Sequence, residues 1–348
     1  MNILCQPAHG GYMSENKRAI KILIVATGGT IACRSDQISG IRNISDPYLI
    51  TDIFKDNGKE ALEENYAVNI EFELISPYEI LSENLSGDEI EKLFFAINEK
   101  LFEKDNDYAG VIVTTGSDTY AYVCAALRLL FSDYEKTMVA VCANDPPEDE
   151  NSNGLLHFTA ACEMIVNNAL SGNRGIFGVY ENGHGNTATF YDAGSILPQP
   201  AFSDTISAYV PLDEAGSDLL NMPRGEMGVP SSSLRLRFKE GHRPLKDVKV
   251  LLIKPYPGMR YPDIKEAEAV VFDTYHSGTL PTDEKSGFKE FLERAKESGT
   301  IVIISGVKKG AGVYASEKIY EDDAVNVLYD VTSVMAYMQT WIMLSLHG

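Results

Sequence analysis

Short β-branched runs alternate with longer stretches whose apolar residues recur at helical spacing, and this alternation predicts strands and helices in turn. Ile22–Ala26 is an unbroken apolar run, the pattern of a strand buried on both faces. Glu71–Ile75, Val111–Thr114, Met138–Cys142 and Ile176–Tyr180 read as further strands. Ser86-Gly-Asp-Glu89 has the spacing of a capping box, and Ile90, Leu93, Phe94, Ile97 and Leu101 follow at helical period. From Asp118 onward, Val123, Ala126, Leu127 and Leu130 share one helical face. Strands alternating with helices predict parallel pairing through right-handed crossovers.

From Asp192 to Arg243 the pattern weakens, and prolines, glycines and serines are frequent, as in Val229-Pro-Ser-Ser-Ser233. This stretch reads as linker with a few extended pieces. Alternation then resumes. Val248–Ile253, Ala269–Phe272 and Ile301–Ile304 are predicted strands, and Asp283–Ser298 and Val331–Leu344 predicted helices. The expected organisation is a flexible tail over 1–19, a large parallel-sheet α/β domain over 20–215, a linker over 216–245 and a smaller α/β domain over 246–348.

Composition narrows the partners. Of 348 residues, 44% are hydrophobic, enough for a sizeable core, and the formal net charge is −20. Such a charge opposes phosphate backbones, so nucleic-acid binding is not expected. The denser acidic stretch Asp145–Asp149 reads locally as a solvated loop. The five cysteines (Cys5, Cys33, Cys124, Cys142 and Cys162) are odd in number and form no CxxC pair. That usage fits reduced thiols in the cytoplasm rather than a disulfide frame or a zinc site. No signal-type leader precedes the first strand and no stretch is long enough to span a membrane, so a cytoplasmic protein without a membrane partner is expected.

Candidate chemistry gathers at two strand ends. One reads Ala26-Thr-Gly-Gly-Thr30, the other Thr114-Thr-Gly-Ser-Asp118-Thr. Each strand stops at glycine and presents hydroxyls. In open α/β sheets ligands bind at strand carboxyl ends, so Thr30, Ser117 and Asp118 are expected in one crevice. Taken locally, the Gly-Gly turn is also compatible with simple packing, and Asp118 with helix capping.

Ala26-Thr-Gly-Gly-Thr-Ile31 and Thr115-Gly-Ser-Asp-Thr119, found in this order, resemble the two signatures of the bacterial asparaginase/glutaminase family. Tyr120–Leu127, Asn173-Arg-Gly175, Tyr256-Pro-Gly258 and Asp330-Val-Thr-Ser333 resemble its cytosolic type, and the similarity spans about residues 20–345. The resemblance implies a two-domain α/β fold and hydrolysis of a side-chain amide, such as that of L-asparagine, through a threonine acyl-enzyme. It implies Thr30 as nucleophile, with Ser117 and Asp118 as the second hydroxyl and the carboxylate that holds a substrate α-ammonium. Ser82 in Leu81-Ser-Glu-Asn84 matches a serine that contacts the α-carboxylate. Glu83 falls on a neighbouring binding position, and Gly29 and Gly116 are implied substrate-binding residues at the two turns. His276 follows the Ala269–Phe272 strand, whose end approaches a neighbouring subunit's site in the family. No cofactor or metal is implied. The expected ligand is an amino-acid amide, and the expected assembly a homodimer or homotetramer.

The chain departs from the family pattern in three places. The family lysine on a Thr-Lys motif has no counterpart, because no lysine lies between Lys136 and Lys239. The loop after Thr30, Cys33–Arg42, lacks the family tyrosine, and Tyr48 is the nearest candidate. Serine replaces threonine at Ser117. Asp36, Tyr191, Asp192, Lys308 and Lys309 are the residues from which a proton path is expected to be rebuilt. Two alternative readings therefore stand beside asparagine hydrolysis: an amidohydrolase with a shifted substrate, such as a modified or D-amino-acid amide, and a catalytically silent amino-acid-binding protein.

Overall fold

The computed structural model describes residues 17–36, 38–102, 107–182, 187–209, 234–264, 266–310 and 314–346. Most of the expected tail, residues 216–233 of the expected linker, Cys5 and Val229–Ser233 lie outside them. The chain divides into two compact units. The first runs to Arg128 and takes in Asp133–Ser207; the second holds Leu129–Ser132 and the chain from Ala208 onward.

The first unit begins with β1 (Arg18–Ala26), a small hairpin of β2 (Cys33–Ser35) and β3 (Arg42–Ile44), and two helices, α1 (Leu49–Asn57) and α2 (Lys59–Tyr66). It continues with β4 (Val68–Ile75), α3 (Gly87–Phe102), β5 (Gly110–Thr114), α4 (Tyr120–Leu130), β6 (Thr137–Val141), α5 (Gly154–Ser171), β7 (Gly175–Tyr180) and β8 (Thr189–Asp192). The main sheet has the order β4-β1-β5-β6-β7-β8. Its first five strands are parallel, as the alternation predicts. At the edge β8 runs antiparallel to β7. The connection from Tyr180 to Thr189 is too short to carry a crossover, which takes a dozen or more residues. Ile22, Ile24, Ile112, Val139 and Val141 from the strands are fully buried against Phe54 of α1 and Phe158 and Ile165 of α5.

The second unit carries α6 (Leu234–Glu240), β9 (Val250–Ile253), β10 (Ala269–Phe272), α7 (Phe288–Ser298), β11 (Ile301–Val307), β12 (Val325–Tyr329) and α8 (Ser333–Ser345). The four strands form a parallel sheet in the order β12-β11-β10-β9. Tyr261, Phe272, Phe288 and Phe291 make its aromatic core. The expected α/β class, with a larger parallel-sheet unit followed by a smaller one, is the architecture observed. α6 is a helix where the sequence suggested extended linker. Its Leu234 and Phe238 are buried at a spacing of one helical turn. No helix among the described residues is long and apolar enough to cross a membrane.

Sheet order decides where the first unit can hold a ligand. After β1 the chain crosses to β4 on one side. After β5 it crosses to β6 on the other. The loops leaving β1 and β5 therefore diverge, and the crevice between them is the topological switch point at which such sheets bind ligands.

The neighbouring ends of β6 and β7 are locked by a buried histidine. His157 of α5 is wholly buried; its Nδ1 lies 2.8 Å from Cys142 O, and its Nε2 accepts the Glu181 amide at 2.8 Å. A backbone N–H only donates, so Nε2 is bare and Nδ1 carries the proton, donating it to Cys142 O. Burial pushes the His157 pKa down to about 4. Because folding depresses this pKa, the stabilisation is complete above the unfolded value near 6.5 and is lost as pH falls towards 4. The loss amounts to about 3 kcal/mol. Urea unfolding followed by circular dichroism should show wild type losing this much more stability than His157→Gln between pH 7.5 and pH 4. Parallel pH profiles for the two proteins would refute the assignment.

Candidate active site

At the end of β1 the strand gives way to Thr27-Gly28-Gly29, and Thr30–Ala32 form a single 3-10 turn. Three backbone bonds and one side-chain bond fix this exit. Thr27 N and Oγ1 both donate to Thr114 O, at 3.1 and 2.8 Å, joining the ends of β1 and β5. Gly29 N donates to Ile80 O at 2.9 Å, and Ile80 N to Thr27 O at 3.3 Å. The segment after β4 is thereby drawn alongside β1, and Ser82 arrives two residues later in its own 3-10 turn.

Two glycines make the crevice possible. Gly29 has φ +75°, and a Cβ there would lie 2.2 Å from the Cα of Gly116. A Cβ on Gly116 would lie 2.3 Å from Ser82 Oγ. The three turns that carry Thr30, Ser117 and Ser82 are thus stacked with no room for side chains between them. Sequence reasoning points to all three, and the structure brings them together.

Asp118 sits in the turn between β5 and α4 and accepts a hydrogen bond from Ser82 Oγ on its Oδ2 at 3.2 Å. Thr119 Oγ1 donates to Ser82 O at 3.2 Å, a second bond between these turns. Ser82 is buried, Thr30 and Ser117 are half-buried, and Asp118 and Glu83 are exposed. The carboxylate is thus held from one side and open on the other. A hydroxyl at the switch point, a second hydroxyl and an accessible carboxylate suit attack on a carbonyl in a ligand that bears a cationic amine. The Gly29 amide is committed to Ile80 O, so an oxyanion would have to draw on amides after it.

Cys33 follows immediately, fully buried, with its thiol donating to Gly29 O at 3.3 Å. Burial pushes its pKa up; Arg42 pulls it down and Glu83 pushes it up further. The thiol stays protonated, which removes it as a nucleophile. Cys124, Cys142 and Cys162 are fully buried, and burial raises each of their pKa values.

Three of the residues considered for a rebuilt proton path, Asp36, Asp192 and Tyr191, are engaged in other bonds. Asp36 Oδ1 accepts from Ser39 N, Ser39 Oγ and Ile38 N at a loop tip. Asp192 pairs with Arg128 at 3.2 Å, both nearly buried, and caps the turn at Gly194 N. Tyr191 Oη accepts from Asn182 Nδ2. Lys308 and Lys309 belong to the second unit, at the turn after β11. Tyr48 lies at the start of α1, where burial, then Glu79 and Asp46, push its pKa up. His276 is exposed in the second unit, at a turn closed by Gly278 N donating to Tyr275 O. Sequence reading does not find the ion pairs Arg34–Glu148 and Arg42–Asp145, which tie the β2–β3 hairpin to the acidic Asp145–Asp149 segment. Only the charge run itself hints at them.

Residues 21–183 match the asparaginase family, in its N-terminal part (Asparaginase, N-terminal). Among curated relatives, the D-type subunit of the glutamyl-tRNA(Gln) amidotransferase of Archaeoglobus fulgidus is 26% identical over 297 residues, covering 82% of this chain and 64% of that protein. Its counterpart of the same name in Sulfolobus acidocaldarius is 23% identical over 324 residues, covering 89% and 68%. The chain therefore spans about two thirds of the length of these relatives. Among solved structures, the thermostable L-asparaginase of Thermococcus kodakarensis superposes with a TM-score of 0.63 at 17% identity, covering 94% of this chain and 93% of that one. L-asparaginase I of Vibrio cholerae gives 0.62 at 18% identity, covering 95% and 93%. At these identities the superpositions establish the fold.

Proposed function

Because the N-terminal unit of this chain belongs to the asparaginase family, we propose that the protein is an amidohydrolase that cleaves the side-chain amide of L-asparagine or a related amino-acid amide. The observation that carries this reading is the stacking of the Gly29, Gly116 and Ser82 turns at the switch point, which gathers Thr30, Ser117 and Asp118. Thr30 Oγ attacks the amide carbonyl, the C–N bond breaks, and ammonia leaves with the hydroxyl proton. Water then cleaves the ester, releasing the acid and restoring Thr30. Asp118, on its open side, takes the α-ammonium. Ser82 and Glu83 flank the α-carboxylate end, and Ser117 supplies the second hydroxyl. A second copy of the chain, presenting His276, belongs to this proposal as the homo-oligomer that the resemblance implies.

The missing lysine and loop tyrosine favour a shifted amide. A positioned proton-transfer group contributes about 10²–10⁴ in rate. Either turnover of L-asparagine below the ordinary enzymatic range or preference for another amide is therefore expected. The deciding experiment is ammonia release from purified protein across L- and D-asparagine, L-glutamine and N-substituted analogues, beside thermal shifts with the same compounds. Thermal shifts without ammonia would replace the enzyme by an amino-acid-binding protein. Asp118→Ala should raise KM about 10–100-fold, the value of a hydrogen bond to a charged group. An unchanged KM would remove Asp118 from the ammonium site.

A further inference from the structure

We propose that Arg42 is a positioning residue for Thr30: together with Arg34 it clamps the β2–β3 hairpin to the acidic segment after β6, and this clamp holds the Gly29–Thr30 turn in its working geometry. The inference rests on the amidohydrolase reading and adds a part of the site that the motifs do not contain.

The hairpin is short. Cys33 pairs with Ile44, Arg34 with Asn43 and Ser35 with Arg42. An isolated two-stranded hairpin is marginal in water, so this one needs outside support. Its base is continuous with the nucleophile turn: Ala32 N donates to Gly29 O, Cys33 Sγ donates to the same oxygen, and Ser45 N returns to Ala32 O. Its tip is organised by Asp36, whose carboxylate accepts from Ile38 and Ser39, and by Asp36 N donating to Ile41 O. These bonds join the hairpin's far strand to Cys33 and the nucleophile turn.

Besides the packing of Ile44 beside Gly28 and the burial of Cys33, two ion pairs hold the hairpin among the described residues. Arg34, on β2, pairs with Glu148 at 2.6 Å, and Arg42, on β3, pairs with Asp145 at 2.5 Å. The anchor is itself fixed. Asn144 N donates to Asn153 Oδ1 and Asn153 N to Asn144 Oδ1, and Ser152 Oγ donates to Asp145 O. Asp145–Asp149, which in sequence looks like solvated charge, is thus a braced acidic dock with an arginine from each strand of the hairpin in it. The pairs are partly exposed, so each is modest and is screened by salt. A modest contribution is enough to shift a marginal hairpin about fivefold in population.

The test uses the full-length chain with Arg42→Gln, Asp145→Asn and the charge exchange Arg42→Asp with Asp145→Arg. Two readouts are taken: kcat and KM on the best amide from 0.02 to 0.5 M NaCl, and hydrogen exchange of the peptide spanning 33–46. We expect wild-type kcat to fall with salt. We expect Arg42→Gln to have about fivefold lower kcat at low salt with little change in KM and little salt dependence. The exchanged pair should recover most of the loss, and the 33–46 amides should exchange several-fold faster in Arg42→Gln. Arg42→Gln with wild-type exchange would overturn the clamp. Faster exchange with unchanged kcat would overturn its role in positioning Thr30. If no amide is turned over, the functional reading falls separately, and the clamp is judged by exchange alone.

Discussion

Thr30→Ala is expected to abolish ammonia release, lowering kcat by about 10⁴-fold or more, while the protein folds and binds as before. The size follows from the role: removing the nucleophile of an acyl-enzyme route leaves only the catalysis supplied by binding and an oxyanion hole. The fold is expected to survive for a local reason. Thr30 is half-buried at the opening of a 3-10 turn, and that turn is held by backbone groups, Ala32 N to Gly29 O and Gly29 N to Ile80 O, which alanine leaves intact. Circular dichroism and melting should match wild type, and thermal shifts with the preferred amide should persist. Measurable turnover at more than a hundredth of the wild-type rate would move the nucleophile elsewhere. Ser117 would be the first alternative, since its turn stacks on that of Thr30, and Ser117→Ala is the paired control. Cys33 is a poor alternative, because burial keeps its thiol protonated.

The elements that build the crevice were legible because each carries a strong local signal. β1 and β5 are unbroken apolar runs that end in glycine, and α3 and α4 show clear helical period. What sequence reading missed has several physical causes. α5 is apolar on most of its surface, with His157, Phe158, Cys162 and Ile165 all buried. A helix with a weak polar face offers no period to detect. β12 is half-exposed at a sheet edge, and its Val-Asn-Val-Leu-Tyr pattern is short. The β2–β3 hairpin has only three residues a side and depends on ion pairs formed across more than a hundred residues of chain. The site shows the same division. Thr30, Ser117 and Asp118 were readable as strand-end chemistry. That Asp118 accepts from Ser82, that Asp192 is bound to Arg128 and that the Gly29 amide is already committed are tertiary facts with no local trace.

Occupation of Asp36, Tyr191 and Asp192 by structural bonds sharpens the problem posed by the missing lysine. Each was a reasonable proton carrier by type and neighbourhood. Each is engaged: Asp36 in closing its own loop tip, Tyr191 with Asn182, Asp192 in a nearly buried ion pair. Breaking one partner out of such a pair costs about 3–5 kcal/mol, so Asp192 is a structural brace for α4, the helix that begins just after Asp118. On the proposed reading, Ser117 and the open side of Asp118, carried on the turn that stacks on that of Thr30, are left as candidates to take the Thr30 proton. This is why a slow or shifted amide reaction, rather than an ordinary asparaginase rate, is the expected kinetic outcome.

Gly29→Ala and Gly116→Ala are both expected to damage the fold and the site, Gly29→Ala the more severely. At Gly29 two penalties coincide. The backbone lies at φ +75°, where an L side chain costs about 1–2 kcal/mol. The new Cβ would also stand 2.2 Å from Gly116 Cα and 2.3 Å from Gly116 N, atoms of a main chain fixed between β5 and α4. Main chain cannot rotate away as a side chain can, and overpacking of this kind adds about 1–3 kcal/mol. The sum, about 2–5 kcal/mol, should show as a lowered urea midpoint of the first unit. Circular dichroism is the suitable probe, since the single tryptophan, Trp341, lies in the second unit. At Gly116 the φ is ordinary, and the added Cβ meets Ser82 Oγ and Cβ at 2.3 and 2.4 Å. Turning Ser82 Oγ away from Asp118 relieves only part of that clash, because side-chain rotation leaves Ser82 Cβ where it is; the Ser82 turn itself must shift, which costs stability as well as the 3.2 Å bond to Asp118. Gly116→Ala should therefore lose some stability and raise KM severalfold, whereas Gly29→Ala, strained in its own backbone as well, should lose more stability and turnover together. Equal unfolding midpoints for Gly29→Ala and wild type would show that the two turns are not packed against each other, and the crevice built on that contact would have to be redrawn.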